Sequence, residues 1–310
     1  MFDKMVFTTK IDFEKDAAEI AKRNHLQRCT AGTELFYQTS VYGNFEGIYI
    51  KLRGNTMQIK CSLHKLYSKA SIGIFDNSNL FTISEALDMI DYLFSTLKIE
   101  KENVKVTYYE IGLNMITPDD PLSYIELIQS AGQNSEKEMF NDANYQKYRQ
   151  KTTEKSKNIK KVLKVYDKGF EARSKGRMIP GNILRCETIY KRQSIPLTQL
   201  TSNEYLSKII SRFYRDWHNA VFPRQIRADK GIKASQIEKA KSIMQLGRNE
   251  YYEISRKAYL SGTISKKTWE TIRVFIQSWD DLKTSFRFEP THQEITYKSL
   301  LDEAFSITTN

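Results

Sequence analysis

KVLKVYDKG (161–169) and NILRCETIYKR (182–192) decide how this chain reads. Both alternate with period two, the pattern of a strand with two unlike faces. In the first, Lys164, Tyr166 and Lys168 fall on one face and Leu163 and Val165 on the other. The apolar pair marks the buried side, so the tyrosine belongs to a polar, cationic one. In the second, Arg185 and Glu187 share a face, while Leu184 and Cys186 alternate with them and point to the core. A tyrosine, a carboxylate and several cations on one sheet suit phosphodiester cleavage. The phenol can attack, the carboxylate can hold a metal and the cations can bind phosphate. A free tyrosine titrates at about 10, so attack at neutral pH needs nearby cations or a metal, and Lys164 and Lys168 are placed to help. The plainer alternative makes Tyr166 a packing ring and Arg185–Glu187 an ordinary ion pair.

The charge distribution favours the first reading. The chain carries a formal net charge of +11, and residues 141–192 hold fifteen Lys and Arg against five Asp and Glu, a local excess of +10. A basic stripe of this kind favours a polyanion, because each phosphate neutralised releases counterions. Lys155, Lys157, Lys160, Lys161, Lys164, Arg173, Lys175 and Arg177 are the candidate nucleic-acid contacts, with Tyr145, Tyr148 and Phe170 as stacking groups. No amphipathic helix with a bulky apolar face accompanies the run, which argues against a membrane surface.

The rest of the chain frames these strands. Its 310 residues allow two domains, and 40% hydrophobic with 27% charged residues is an ordinary soluble composition. Three cysteines without a CxxC pair fit a reducing cytoplasm and argue against structural zinc. No signal-peptide run or membrane-length segment is present, so the expected location is the cytoplasm. Residues 1–30 show only a helical stretch, FEKDAAEIAKRN (13–24). Residues 33–63 read as β structure with a hairpin turn at Arg53-Gly54-Asn55. Phe81–Leu97 reads as a helix capped by Thr82, with Glu85 completing a capping box.

VKVTYYEIGLNM (104–115) is a strand with Tyr108, Glu110, Gly112 and Asn114 on one face. Gly112 leaves room for a ligand or backbone to approach, and a carboxylate in so apolar a strand needs a partner. A helix follows over 122–130, then a polar loop over 132–158. Beyond Pro196 the rhythm is helical. The expected architecture is therefore α+β, a central antiparallel sheet flanked by helices over 1–197, followed by a helical domain over 198–310.

Glu110 and Glu187 on one sheet can share a hard divalent cation, Mg²⁺ or Mn²⁺, with His64 at the end of the CSLHK strand (61–65) as a candidate third ligand. A strand-end histidine bonded to backbone is the alternative for His64. No second histidine lies near it. No P-loop occurs, so neither a nucleotide cofactor nor ATP-driven unwinding is expected. GxSxG and HExxH are also absent.

In their order, CSLHK (61–65), YYEIGLN (108–114), KVLKVYDKGFE (161–171) and ILRCETIYKR (183–192) resemble the gene II/gene X replication proteins of filamentous phages, and more loosely the related plasmid initiators and transfer relaxases. The likeness covers roughly residues 45–195. It implies an acidic metal ligand at Glu110, a nucleophile at Tyr166 followed by Lys168, and an Arg-x-Glu strand at Arg185 and Glu187, with Lys164, Lys168 and Arg185 expected to stabilise charge on the phosphate. One departure stands out: where the family has an Arg-Ile-Asp type element, this chain has Tyr109-Glu110-Ile111. The resemblance implies a rolling-circle replication initiator. It would be a metal-dependent, site-specific DNA nickase and strand transferase acting through a 5′-phosphotyrosine. Its partners would be single-stranded or locally melted origin DNA and a host helicase and polymerase. The alternative is a non-catalytic DNA-binding regulator that uses the same basic stripe.

Overall fold

In the computed structural model, residues 1–40, 47–132, 139–142, 146–150 and 160–309 are described, with backbone alone over 140–142 and 146–150. The chain forms two compact units, Met1–Val221 with Thr296–Asn310, and Phe222–Ile295.

The first unit is an α+β fold on one antiparallel sheet. Its strands are β1 (Phe2–Lys10), β2 (Gln27–Ala31), β3 (Glu34–Gln38), β4 (Tyr49–Arg53), β5 (Thr56–Ser62), β6 (Val104–Ile116), β7 (Phe140–Asp142), β8 (Gln146–Gln150), β9 (Lys161–Asp167), β10 (Ile183–Tyr190) and β11 (Ile195–Pro196). They lie in the order β2-β3-β4-β5-β1-β6-β10-β9-β8-β7, with β11 beside β6. The β4–β5 hairpin turns at Gly54-Asn55, as its composition predicts, and Gly54 takes φ +49°.

The helices cover both faces, as expected for an antiparallel sheet that buries two sides. Against one lie α2 (Leu63–Ile72), α3 (Ile83–Leu97) and α5 (Lys168–Arg173). Phe94 of α3 meets Phe7 of β1 edge-on at 5.1 Å. The Thr82 cap is as expected: its hydroxyl accepts Glu85 N–H at 3.1 Å, and the Glu85 carboxylate accepts Thr82 N–H at 2.6 Å. Against the other face lie α7 (Asn203–His218) and α12 (His292–Thr309). Trp217 of α7 donates its indole N–H to Thr188 of β10 at 3.1 Å, and Tyr297 of α12 donates to the Trp217 carbonyl at 3.1 Å. These aromatics, with Tyr109 and Tyr190 stacked at 4.6 Å, fill the second core. Burying each large apolar side chain here contributes about 1.5–3 kcal/mol.

This packing moves the expected domain boundary. Residues 198–221 and the last helix from Thr296 onward belong to the α+β unit, because their apolar faces are what cover its sheet. Two local readings also change. Part of the stretch expected as a polar loop forms β7 and β8, which extend the sheet beyond β9. The helix expected over 122–130 is shorter, α4 (Pro121–Ile125).

The second unit holds α8 (Ala234–Leu246), α9 (Arg248–Leu260), α10 (Lys266–Gln277) and α11 (Trp279–Leu282). Its ends pair as a ladder, β12 (Gln225–Ala228) with β13 (Phe286–Glu289). Ile243, Ile272, Phe275, Ile276, Trp279 and Phe286 form its core.

Candidate active site

Four adjacent strands, β1, β6, β10 and β9, present their polar residues on one face. Register sets the arrangement. Arg185 lies opposite both Asn114 and Tyr166, and Glu187 opposite both Gly112 and Lys164. Tyr166, Glu110 and Glu187 therefore share a side of the sheet, a relation between strands that alternation within each one leaves open.

A third carboxylate joins them from a strand that sequence reasoning does not reach. Asp3, Glu110 and Glu187 each offer an oxygen within 4.8 Å of the others. β1 holds one extra residue between Phe2 and Met5, which pair with Ile111 and Tyr109, so Asp3 and Lys4 together oppose Glu110. A bulge of this kind re-aims side chains, and here it turns Asp3 toward the site.

Arg185 organises the group. Its Nη2 donates to Asp3 Oδ2 at 2.7 Å, its Nη1 to Asn114 Oδ1 at 2.9 Å and its Nε to Glu187 Oε1 at 3.2 Å. The side chain is 1% exposed, and its guanidinium lies over Gly112, where a Cβ would stand 2.2 Å from Nη2. The gap expected at Gly112 for a ligand is thus filled by Arg185. With these donors engaged, Arg185 is a positioning residue for the carboxylates, and the expected role of charge stabiliser at a phosphate does not fit it.

Electrostatics follow from burial and like charge. Burial and the charges of Glu187 and Asp3 push the Glu110 carboxyl up to about 7, although Tyr108 donates a hydrogen bond to it. Burial alone would raise Asp3, but Arg185 beside it, with bonds from Ser62 and Asn77, holds it well below the usual carboxylate range. Three acids facing one guanidinium leave an uncompensated negative charge. An all-oxygen donor set of this kind suits Mg²⁺ or Mn²⁺, so the residues fit the cation expected from the sequence.

His64 stands outside this set. It lies in the first turn of α2, not at a strand end, with Ser62 as the cap. Its Nε2 meets Asn79 Oδ1 at 2.8 Å and its ring stacks on Phe81 at 4.6 Å. Burial, with Arg185 nearby, holds it down at about 3, so it is neutral at physiological pH. Asp3, not His64, is the third member of the cluster that could hold a cation.

Tyr166 is 5% exposed, so it is buried rather than presented on a solvent-facing polar side, although Lys164 shares its face as expected. Burial and the charge of Glu187 hold its hydroxyl well above the ordinary value, only partly offset by Arg185. Lys164 lies over its ring at 4.2 Å. Lys168 is not on the strand but opens α5. It is buried against Asn77 Oδ1 and Glu171 Oε2, both at 2.6 Å. Burial and Arg185 lower its amine to about 7.

The expected nucleic-acid contacts divide. Lys164, Lys175 and Arg177 gather with Lys65 near the acid group, close enough that their charges bear on one another. Lys161 points to the opposite face, where it pairs with buried Asp216, so it leaves the set. Arg173 pairs with Asp167 at 3.6 Å, and Lys160 is exposed just before β9. Lys155, Lys157 and Tyr145 lie outside the described residues, as does the Tyr148 side chain. Phe170 is half-buried on α5. Among the described residues no helix is long and apolar enough to cross a membrane.

No family model matches the chain, and no curated protein matches it. Among solved structures, it is similar to a rolling circle replication initiator protein from Geobacillus stearothermophilus, at 7% identity and a TM-score of 0.38, over 74% of this chain and 89% of that one. At this level nothing about the site is carried across.

Proposed function

We propose that the protein is a metal-dependent, site-specific nickase and strand transferase that starts rolling-circle DNA replication. One observation carries the reading: Tyr166 faces the same side of the sheet as Asp3, Glu110 and Glu187, on adjoining strands. Mg²⁺ or Mn²⁺ held by the three carboxylates would supply Lewis-acid polarisation of the scissile phosphate. Tyr166 Oη forms the new bond to phosphorus, the bond from phosphorus to the 3′ oxygen breaks, and the phenolic proton ends on that oxygen as a free 3′-OH. Lys164, over the Tyr166 ring, stabilises negative charge on the phenol oxygen and on the phosphate. Arg185 keeps Asp3 and Glu187 in place, and Lys168 fixes Asn77 against Asp3. A second transfer releases and reseals the displaced strand. The substrate is single-stranded or locally melted origin DNA in the cytoplasm, with unwinding and synthesis left to a host helicase and polymerase.

The test is a denaturing gel after incubation with Mn²⁺ and single-stranded DNA of varied sequence. A covalent adduct is expected for the wild type, and none with EDTA or in Tyr166→Phe. No adduct from the wild type, or an unchanged one in Tyr166→Phe, refutes the reading. The burial of Tyr166 and its raised hydroxyl favour a second reading, metal-independent DNA binding without cleavage. That reading predicts undiminished binding in EDTA and no adduct.

A further inference from the structure

We infer that the connection after α2, together with the end of α5, forms a subsite for an unpaired nucleotide beside the acid group, with Phe75 receiving the base and Lys65, Lys175 and Arg177 the phosphate. The inference rests on the acid group handling a nucleic-acid strand.

The connection is apolar where it should be wet. Ile72, Ile74, Phe75 and Leu80 are all exposed, Phe75 at 40%. One cation lies by the Phe75 ring, a second holds the Phe75 backbone, and Gly47 packs against the far end of the ring. Lys65 Nζ lies 5.4 Å from its centre. Arg177 Nη1 donates to the Phe75 carbonyl at 3.2 Å and to Asp76 Oδ1 at 3.1 Å. Burial and the neighbouring charges of Lys65, Arg177 and Lys164 lower the Lys175 amine, and burial with Arg177 lowers that of Lys65. Glu171 already pairs with Lys175 and Asp76 with Arg177, and an anion entering the group would offset the charge that remains, that of Lys65 first. An exposed aromatic ring with a lysine beside it and an arginine on its backbone is the composition of a stacking platform for single strands.

The platform is fastened to the acid group. Asn114 Nδ2 donates to the carbonyls of Asn77, Ser78 and Asn79 at 3.0, 2.9 and 2.9 Å. Its Oδ1 accepts from Arg185, while Asn77 donates to Asp3 Oδ2 at 2.6 Å. Phe75 is two residues before Asn77, so their Cα atoms are at most about 7.6 Å apart. A base on Phe75 therefore belongs to a nucleotide close to the phosphate that the carboxylates would engage.

The experiment measures anisotropy of a fluorescein-labelled mixed-sequence oligonucleotide with the full chain in EDTA, in single-stranded and duplex form. Phe75→Ala is expected to weaken single-strand binding roughly ten-fold without changing its salt slope, with Phe75→Trp restoring it. Lys65→Ala with Arg177→Ala is expected to flatten the slope by about 1.4. Duplex affinity is expected to change less than two-fold in Phe75→Ala. Single-strand affinity within two-fold of wild type in Phe75→Ala, or an equal loss on duplex, overturns the subsite. So does a change in oligomeric state with affinity unchanged, which would make the patch a self-association face. The adduct assay separates the two claims. Weakened single-strand binding by Phe75→Ala with no wild-type adduct keeps the subsite and sinks the nicking. A wild-type adduct with unaltered Phe75→Ala binding does the reverse.

Discussion

Gly112→Ala probes the keystone of the site without touching a charged group. The added Cβ would stand 2.2 Å from Arg185 Nη2, 2.6 Å from Cζ and 3.1 Å from Nε. The guanidinium cannot swing aside as an exposed side chain could, because it is buried and tied to Asp3, Asn114 and Glu187. Displacing it strains or breaks at least two charge-assisted bonds, at about 1.5–3 kcal/mol each. Removing a buried charge from its partners costs roughly 3–5 kcal/mol, which agrees. For a unit of about 150–250 residues, at about 2–4 °C per kcal/mol, the first unit's melting transition falls by roughly 6–20 °C. The assay is thermal unfolding of Gly112→Ala in the wild-type and Arg185→Met backgrounds. With Nη2 and Cζ gone the methyl loses its two closest contacts, so the two substitutions together should cost less than their sum by more than about 1 kcal/mol. A loss below about 1 kcal/mol for Gly112→Ala alone, or equal losses in both backgrounds, refutes the view that Arg185 is braced on β6.

Two further outcomes follow from the buried titrating groups. Glu110, raised from 4.5 to about 7, keeps a proton in the folded state that the unfolded chain releases, so without metal its contribution falls as pH rises through that window. His64, held at about 3 against 6.5, acts in the opposite sense at lower pH, and its effect cancels when wild type is compared with Glu110→Gln. In EDTA the melting temperature of wild type relative to Glu110→Gln should drop between pH 4.5 and 7, and Mn²⁺ should reverse the drop only in wild type. Parallel profiles with and without Mn²⁺ would count against a metal at the three carboxylates. For the thiols, burial pushes Cys61 and Cys186 up to about 12, while Cys29 is part-exposed on β2. A disulfide reagent should titrate one thiol in the native protein and all three in denaturant, and rapid native reaction of more than one would contradict the core assignment.

Much of this was legible in the sequence, for reasons that individual residues make plain. Alternation within each strand puts Arg185 with Glu187 and Tyr166 with Lys164, but β9 and β10 are buried on both faces, and only their pairing with each other and with β6 brings Glu110, Tyr166, Arg185 and Glu187 to one side. The Thr82–Glu85 cap and the Gly54-Asn55 turn depend on neighbours only, and local chemistry dictates both. What stayed hidden depends on distant partners. β1 is buried on both faces, so FDKMVFTTK shows no alternation, and Asp3 reaches the site only through a bulge opposite Glu110. Lys161 lies one register step from the site face, and only its pairing with Asp216 reveals that it serves the far core. Arg185 looked like a phosphate ligand because sequence gives its charge but not the three acceptors around it. The helices α7 and α12 read as a separate domain because an amphipathic pattern records that a face is buried, not what buries it.

If Tyr166 is the nucleophile, it becomes covalently joined to DNA beside Asp3, Glu110 and Glu187. The direct measurement is mass spectrometry of the trypsin- and nuclease-treated product formed from wild-type protein, Mn²⁺ and single-stranded DNA. A 5′-nucleotide adduct is expected on the peptide Val165–Lys168, carried by Tyr166 and absent from Glu110→Gln and Glu187→Gln. An adduct on a different tyrosine, or a Tyr166 adduct that persists in EDTA, would contradict it.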